Sequence, residues 1–214
     1  MSLSRLANIY VIVATNMLPL TGVLLMGWDA YVLIVFYWLE TAIVGFWTVI
    51  GIAFRRTEKA SRMAANDNGL SIAGVVLALF IAVHAGFFMA VHLVLMTTLY
   101  GSDWEGHLES VQAFVSMIVI GQSLWPMLIV VFVHRGLIAW DERHETSSMP
   151  SIIGLYTRIV VMQTVIIFGA WGVLLIGEVA GLLLLVCLRA MLDLFWPQVM
   201  DYVQTQIAKA NKAR

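Results

Sequence analysis

Long apolar stretches alternate with short polar or turn-forming breaks along the whole of this chain. A bilayer core about 30 Å thick is crossed by roughly 20 apolar residues rising 1.5 Å each, and six of the stretches reach that length. The pattern predicts an all-α integral membrane protein, a bundle of six transmembrane helices at about 6–27, 30–54, 71–99, 111–139, 152–176 and 179–198. Gly27-Trp28-Asp29 leaves so short a connection that the first two spans are expected to form an antiparallel hairpin, and Gly177-Glu178 implies the same for the last two. The fourth stretch is too long for one straight crossing and too short for two. Gln122, Ser123 and Pro126 lie in its middle, so a kink is predicted there, and Pro19, one turn after Asn16, invites one in the first span. Val199, Val203 and Ile207 recur at helical spacing with cations after them, which sets residues 199–214 apart from the six-helix domain 1–198 as a basic, amphipathic cytoplasmic tail.

Composition points to the same solvent. Of 214 residues 61% are hydrophobic and 12% charged, with a mean hydropathy of +0.91, more apolar surface than a soluble domain of this size can hide. The formal net charge of −1 gives no reason to expect nucleic acid as a partner. The distribution of charge says more than the total. Arg5, Arg55, Arg56, Lys59, Arg62, Arg135, Arg143, Lys209, Lys212 and Arg214 all fall on one side of the six-span topology, whereas Asp103, Glu105 and Glu109 occupy a loop without Lys or Arg. The positive-inside rule then puts both termini in the cytoplasm. Trp28, Tyr100, Trp104, Trp140 and Trp196 lie near span ends, where an indole or phenol can anchor at the headgroups. The N-terminal stretch is longer than the apolar part of a signal peptide and has no small-x-small cleavage site, so it reads as a retained helix. Cys187 is the single cysteine, which excludes an intrachain disulfide and a multi-cysteine metal site.

An ionisable side chain at bilayer depth costs at least about 2.5–3.5 kcal/mol, so each one requires a partner, a wet cavity or a function. Measured along the predicted spans, Asn16, Glu40, Gln122, Gln163 and Arg189 come from five helices yet all fall roughly 15 Å down. Arg158 lies nearer the cytoplasmic side, Asp193 one turn beyond Arg189, and His84 somewhat toward the outer side. This polar layer has two readings. One is a small cavity or proton path with Glu40 as the titrating group and Arg189 or Arg158 setting its charge. The other is an internal network holding helices together, Glu40 to one arginine and Asp193 to Arg189.

His84, His92 and His134 raise the alternative of an intramembrane haem- or metal-binding redox protein. Eight residues separate His84 from His92, about 12 Å along the axis and about 80° around it, too far to share one ion. His134 falls near the inner end of the fourth span. No metal or cofactor is therefore expected, with these three histidines the candidates if one is held. No Gly-rich phosphate loop, His-Glu-x-x-His zinc motif or Gly-x-Ser-x-Gly elbow occurs, so ordinary enzyme chemistry has no foothold and catalytic residues are not assigned.

Gly27-Trp28-Asp29, Tyr37-Trp38-Leu39-Glu40, His84 with Phe88 and His92, and Tyr156-Thr157-Arg158-Ile159 together resemble a family of uncharacterised bacterial multi-pass membrane proteins. The resemblance implies a bacterial inner-membrane location, and it draws Glu40 and Arg158 forward. In that family a histidine commonly stands at the place held here by Gln163, and another follows the acidic residue matched by Asp193, where this chain has Trp196-Pro197. The expectation is a non-enzymatic polytopic inner-membrane protein. It either moves a proton or small solute through a midplane polar layer or serves as an accessory subunit, with lipid, other membrane subunits or further copies of itself as partners.

Overall fold

A computed structural model describes residues 19, 21–54, 72–101, 110–142, 148–177, 186–191 and 195. Every regular element among them is helical: α1 (Ala30–Ala53), α2 (Ile72–Tyr100), α3 (Val111–Ile120), α4 (Trp125–Glu142) and α5 (Met149–Ile176). The chain forms two compact units, residues 30–166 and residues 1–29 with 167–214. Ala30–Ala53, Ile72–Tyr100 and Met149–Gly169 are each long and apolar enough to cross a membrane, and α3 with α4 supplies a fourth crossing if that bent pair is one span. The described residues therefore hold three helices able to cross a membrane, or four with the bent pair, against six spans expected over the whole chain. The expected first and last spans lie outside those residues apart from 19, 21–27, 186–191 and 195.

In the unit 30–166, α1 is the central helix. Its first eight residues, Ala30 to Tyr37, are buried on every side, and only one stripe, Thr41, Val44, Thr48 and Ile52, continues buried beyond them. A helix apolar all round belongs inside other helices, and the change to a stripe marks where α1 begins to face outward. α2 buries Ala78, Ile81, Ala85, Met89, His92 and Met96, spaced by three and four residues, and exposes Val76, Leu79, Phe80, Val83, Phe87 and Val94 on its other faces. In water such a surface would be a liability. Against acyl chains it costs nothing, because lipid tails are as apolar as leucine and helices associate by close packing and hydrogen bonds instead.

Two side-chain contacts fix α1 against α2. The Trp38 indole Nε1 donates to the Met89 carbonyl at 2.8 Å, and the hydroxyls of Tyr31 and Thr97 lie 3.4 Å apart. Moving up α1 from 31 to 38 moves down α2 from 97 to 89, so the pair is antiparallel. α4 packs on α1 through Phe132, whose ring lies 5.8 Å from Phe46 and 5.0 Å from Trp47. Gly136 is seated against the Trp47 indole so closely that a Cβ there would come within 2.7 Å of it. Hydroxyls within the helices are satisfied locally. Thr41, Thr97, Thr98, Thr157 and Thr164 each donate to the carbonyl four residues earlier.

The expected kink in the fourth span is a full break. α3 starts under a serine cap, Ser110 Oγ accepting from Ala113 N at 3.0 Å, and then widens into a π-helix over Val115–Ile120. Gly121 N and Leu124 N each donate five residues back, to Ser116 and Val119, while Ser123 N donates three back, to Ile120. Between these unequal bonds Ser123 adopts a left-handed φ of 56°, and α4 leaves at 97° to α3. Pro126 does not bend a continuing helix. It sits in the first turn of α4, where its missing N–H would have had no partner, so it helps α4 restart.

α5 begins at Met149, three residues before the expected start, and Gly177 follows its end at φ 88°, the left-handed conformation that suits glycine after a helix C-terminus. In the other unit, Trp28 is 2% exposed and its ring lies on Gly22, leaving no room there for a side chain. Trp28 is thus a packed residue rather than the headgroup anchor its position suggested. Trp140, near the end of α4, is 64% exposed.

Candidate functional site

Glu40 lies ten residues into α1 and Arg158 nine residues into α5, about 15 Å and 14 Å along their helices. Arg158 Nη1 donates to Glu40 Oε1 at 2.7 Å, closing an ion pair between residues 118 apart in sequence. The start of α5 at Met149 puts Arg158 about a turn further into its helix than a start at 152 would, and the ion pair sets it level with Glu40. Arg158 is the partner that the sequence left open between it and Arg189. The pair is not sealed: the side chains of Arg158 and Glu40 are 19% and 14% exposed. Guanidinium suits this position, since it keeps its charge where an amine would surrender it, and it donates to a carboxylate in a fixed plane.

One step along α1, Trp38 makes its bond to Met89, so the residue two before Glu40 fixes the rotation of α1 against α2. Leu155, 1% exposed and one turn before Arg158, fills the space over Gly45. These contacts hold the carboxylate and guanidinium from both sides.

Two residues before Arg158, Tyr156 reaches the other neighbour. Its hydroxyl lies 2.5 Å from His84 Nδ1 on α2. His84 is exposed, stacked nearly parallel on Phe80 (5.4 Å, 11°) and edge-on to Phe88 (5.2 Å, 79°). Tyr156 and Arg158 leave α5 about 200° apart, so α5 reaches α1 through the ion pair and α2 through the phenol and imidazole. Tyr156 opens the string Tyr156-Thr157-Arg158-Ile159, in which Arg158 alone carries a charge. Its place two residues from Arg158, within the predicted span rather than at its edge, was the available signal.

The remaining candidates are dispersed. Gln163 lies on α5 five residues beyond Arg158, half-buried. Gln122 lies in the break between α3 and α4 and is partnered there. Arg189 is 2% exposed and partnered, within the unit that holds residues 167–214. Asn16 and Asp193 lie outside the described residues. His92 is 3% exposed, with Nδ1 2.6 Å from the Phe88 carbonyl and its buried Nε2 without a hydrogen-bond partner among the described residues. His134 stands midway along α4, which is the second half of the expected fourth span. Among the described residues no three His, Cys, Asp or Glu side chains converge as a metal site would require.

Comparison with the curated proteins and with the solved structures finds no match to this chain. A family profile does match, over residues 2–214. With almost every residue inside that match, the protein belongs to the family of unknown function DUF6498.

Proposed function

We propose that this chain is a multi-pass inner-membrane protein that passes a proton or a small polar solute through the layer centred on Glu40 and Arg158. The observation that carries the reading is the ion pair itself, placed near the middle of two apolar helices yet partly open. Full enclosure would add a desolvation penalty that mutual attraction need not repay, whereas partial exposure leaves the carboxylate within reach of water and a proton. The broken α3–α4 pair supports the same reading. Irregular backbone at membrane depth is tolerated where it is buried in protein or lines a water-filled cavity, and interrupted helices build the solute sites of many transporters. Glu40 is the group that can take and release a proton, with Arg158 holding its charged form between transfers. The excess of Lys and Arg on one side orients the chain with that side in the cytoplasm.

Purified protein in sealed vesicles with a trapped pH dye tests this. An imposed proton gradient should decay faster than in protein-free vesicles or should drive uptake of a small solute. Rates equal to those of empty vesicles under both regimes would overturn it and turn the layer into structural glue for a subunit of some larger complex.

A further inference from the structure

The mechanism above uses Glu40 and Arg158 and leaves His84 unexplained. This imidazole sits twelve residues from Ile72 and sixteen from Tyr100, about 18 Å and 24 Å from the two ends of α2. Around it the helix exposes Phe80, Val83 and Phe87 at 58%, 74% and 66%, a surface suited to acyl chains. The inference that follows therefore rests on the membrane-spanning reading of α2.

The hydrogen-bond arithmetic of the pair is decisive. Among the described residues Tyr156 is the one hydrogen-bond partner of His84, and His84 the one side-chain partner of the Tyr156 hydroxyl. If Nδ1 carried the ring's single hydrogen and donated to Tyr156, the phenol hydrogen would have no acceptor and Nε2 would stand bare. If the phenol donates to Nδ1, both groups are satisfied, and Nε2 carries a hydrogen that points away from the pair. A doubly protonated ring would likewise present Nε2–H outward. The site thus offers a donor to the membrane interior. An unmet donor at that depth costs several kcal/mol, so it calls for an acceptor.

Depth restricts which acceptor can answer. With Tyr156 and Arg158 about 200° apart on α5, His84 faces the exposed Phe80, Val83 and Phe87 rather than the ion pair. On that face water and the ester carbonyls of phospholipids lie only at the edges of a hydrocarbon core about 30 Å thick. Phe80 lies nearly parallel to the imidazole and Phe88 presents at an angle, an aromatic setting that favours a flat ring over an acyl chain. We propose that His84, oriented by Tyr156, donates from Nε2 to the ring carbonyl of a lipid-soluble quinone bound against Phe80 and Phe88 on the outer face of α2. The site described is one of binding, with Tyr156 as the positioning residue.

A photoreactive azido-quinone, added to the whole protein in vesicles and competed with decylubiquinone, tests this. Labelling of the peptide Ile72–Tyr100 should saturate and be displaced. His84→Phe, which keeps a ring but removes the donor, should raise the half-saturating concentration about tenfold, the loss of one hydrogen bond that water does not replace. His84→Gln, which keeps an N–H, should stay within about threefold of wild type by the same reckoning. Labelling that rises linearly with quinone, or that is equal in wild type and His84→Phe, overturns the proposal. So does His84→Cys, in a Cys187→Ser background, forming a disulfide between two copies, because a second chain would then cover this face. Release of the protein from vesicles by alkaline carbonate would overturn the membrane reading and this inference together. Carbonate-resistant protein without saturable labelling overturns the inference alone and leaves the proton-flux result to stand.

Discussion

The carboxylate of Glu40 and the guanidinium of Arg158 meet at 2.7 Å, in the middle of two helices that are otherwise apolar. The two partners are not equivalent when one is removed. Glu40→Ala leaves a guanidinium that cannot shed its charge, at a cost of about 2.5–3.5 kcal/mol at the centre of a span. Arg158→Leu leaves a carboxyl that becomes neutral by taking a proton, and so costs less. Thermal unfolding in detergent should rank the variants wild type, Arg158→Leu, Glu40→Ala from most to least stable. The exchanged pair Glu40→Arg with Arg158→Glu should recover most of the loss. Equal losses for the two single variants would show that the charges do not face a low-dielectric medium.

Ser123 holds a left-handed φ at the turn between α3 and α4, a conformation that costs a residue with a side chain about 1–2 kcal/mol. Ser123→Gly should therefore stabilise the protein by about 1 kcal/mol, and Ser123→Val should act in the opposite direction. Melting of the two variants checks the sign. A Ser123→Val protein as stable as wild type would mean that α3 and α4 relax into one continuous helix.

Gly136 carries the Trp47 indole directly on its backbone, and the aromatic group formed with Phe46 and Phe132 surrounds the contact. Gly136→Leu should separate α4 from α1 and cost about 1–3 kcal/mol as overpacking. Since Trp47 lies at that contact, its emission should change along with the melting temperature. Gly136→Leu with unaltered stability and emission would contradict the packing.

Length and hydropathy made Ala30–Ala53 and Ile72–Tyr100 legible in the sequence almost to the residue, because crossing a bilayer imposes one scale on both. Glu40 and Arg158 were also visible, as charges with no local compensation. Their pairing was not, since Arg189 stood at the expected depth of Glu40 and Arg158 fell short of it until the start of α5 at Met149 moved it about a turn further along its helix. The break at Gly121–Leu124 was marked by Gln122, Ser123 and Pro126, yet the marks foretold a kink. Whether the chain resumes along its old axis depends on the φ of Ser123 and on which carbonyls the flanking N–H groups choose, and neither is written in hydropathy. Trp28 misled for a similar reason: an indole beside a span end fits both the headgroups and a glycine, and Gly22 took it.

The central claim is that Glu40 works rather than merely binds helices together. The most direct measurement pairs proton flux with melting in Glu40→Gln, an isosteric change that keeps a hydrogen-bond acceptor for Arg158 but cannot carry a proton. Flux should fall to the level of empty vesicles while the protein still melts cooperatively and stays in the bilayer. Flux equal to wild type, with a lowered melting temperature as the main effect, would contradict it.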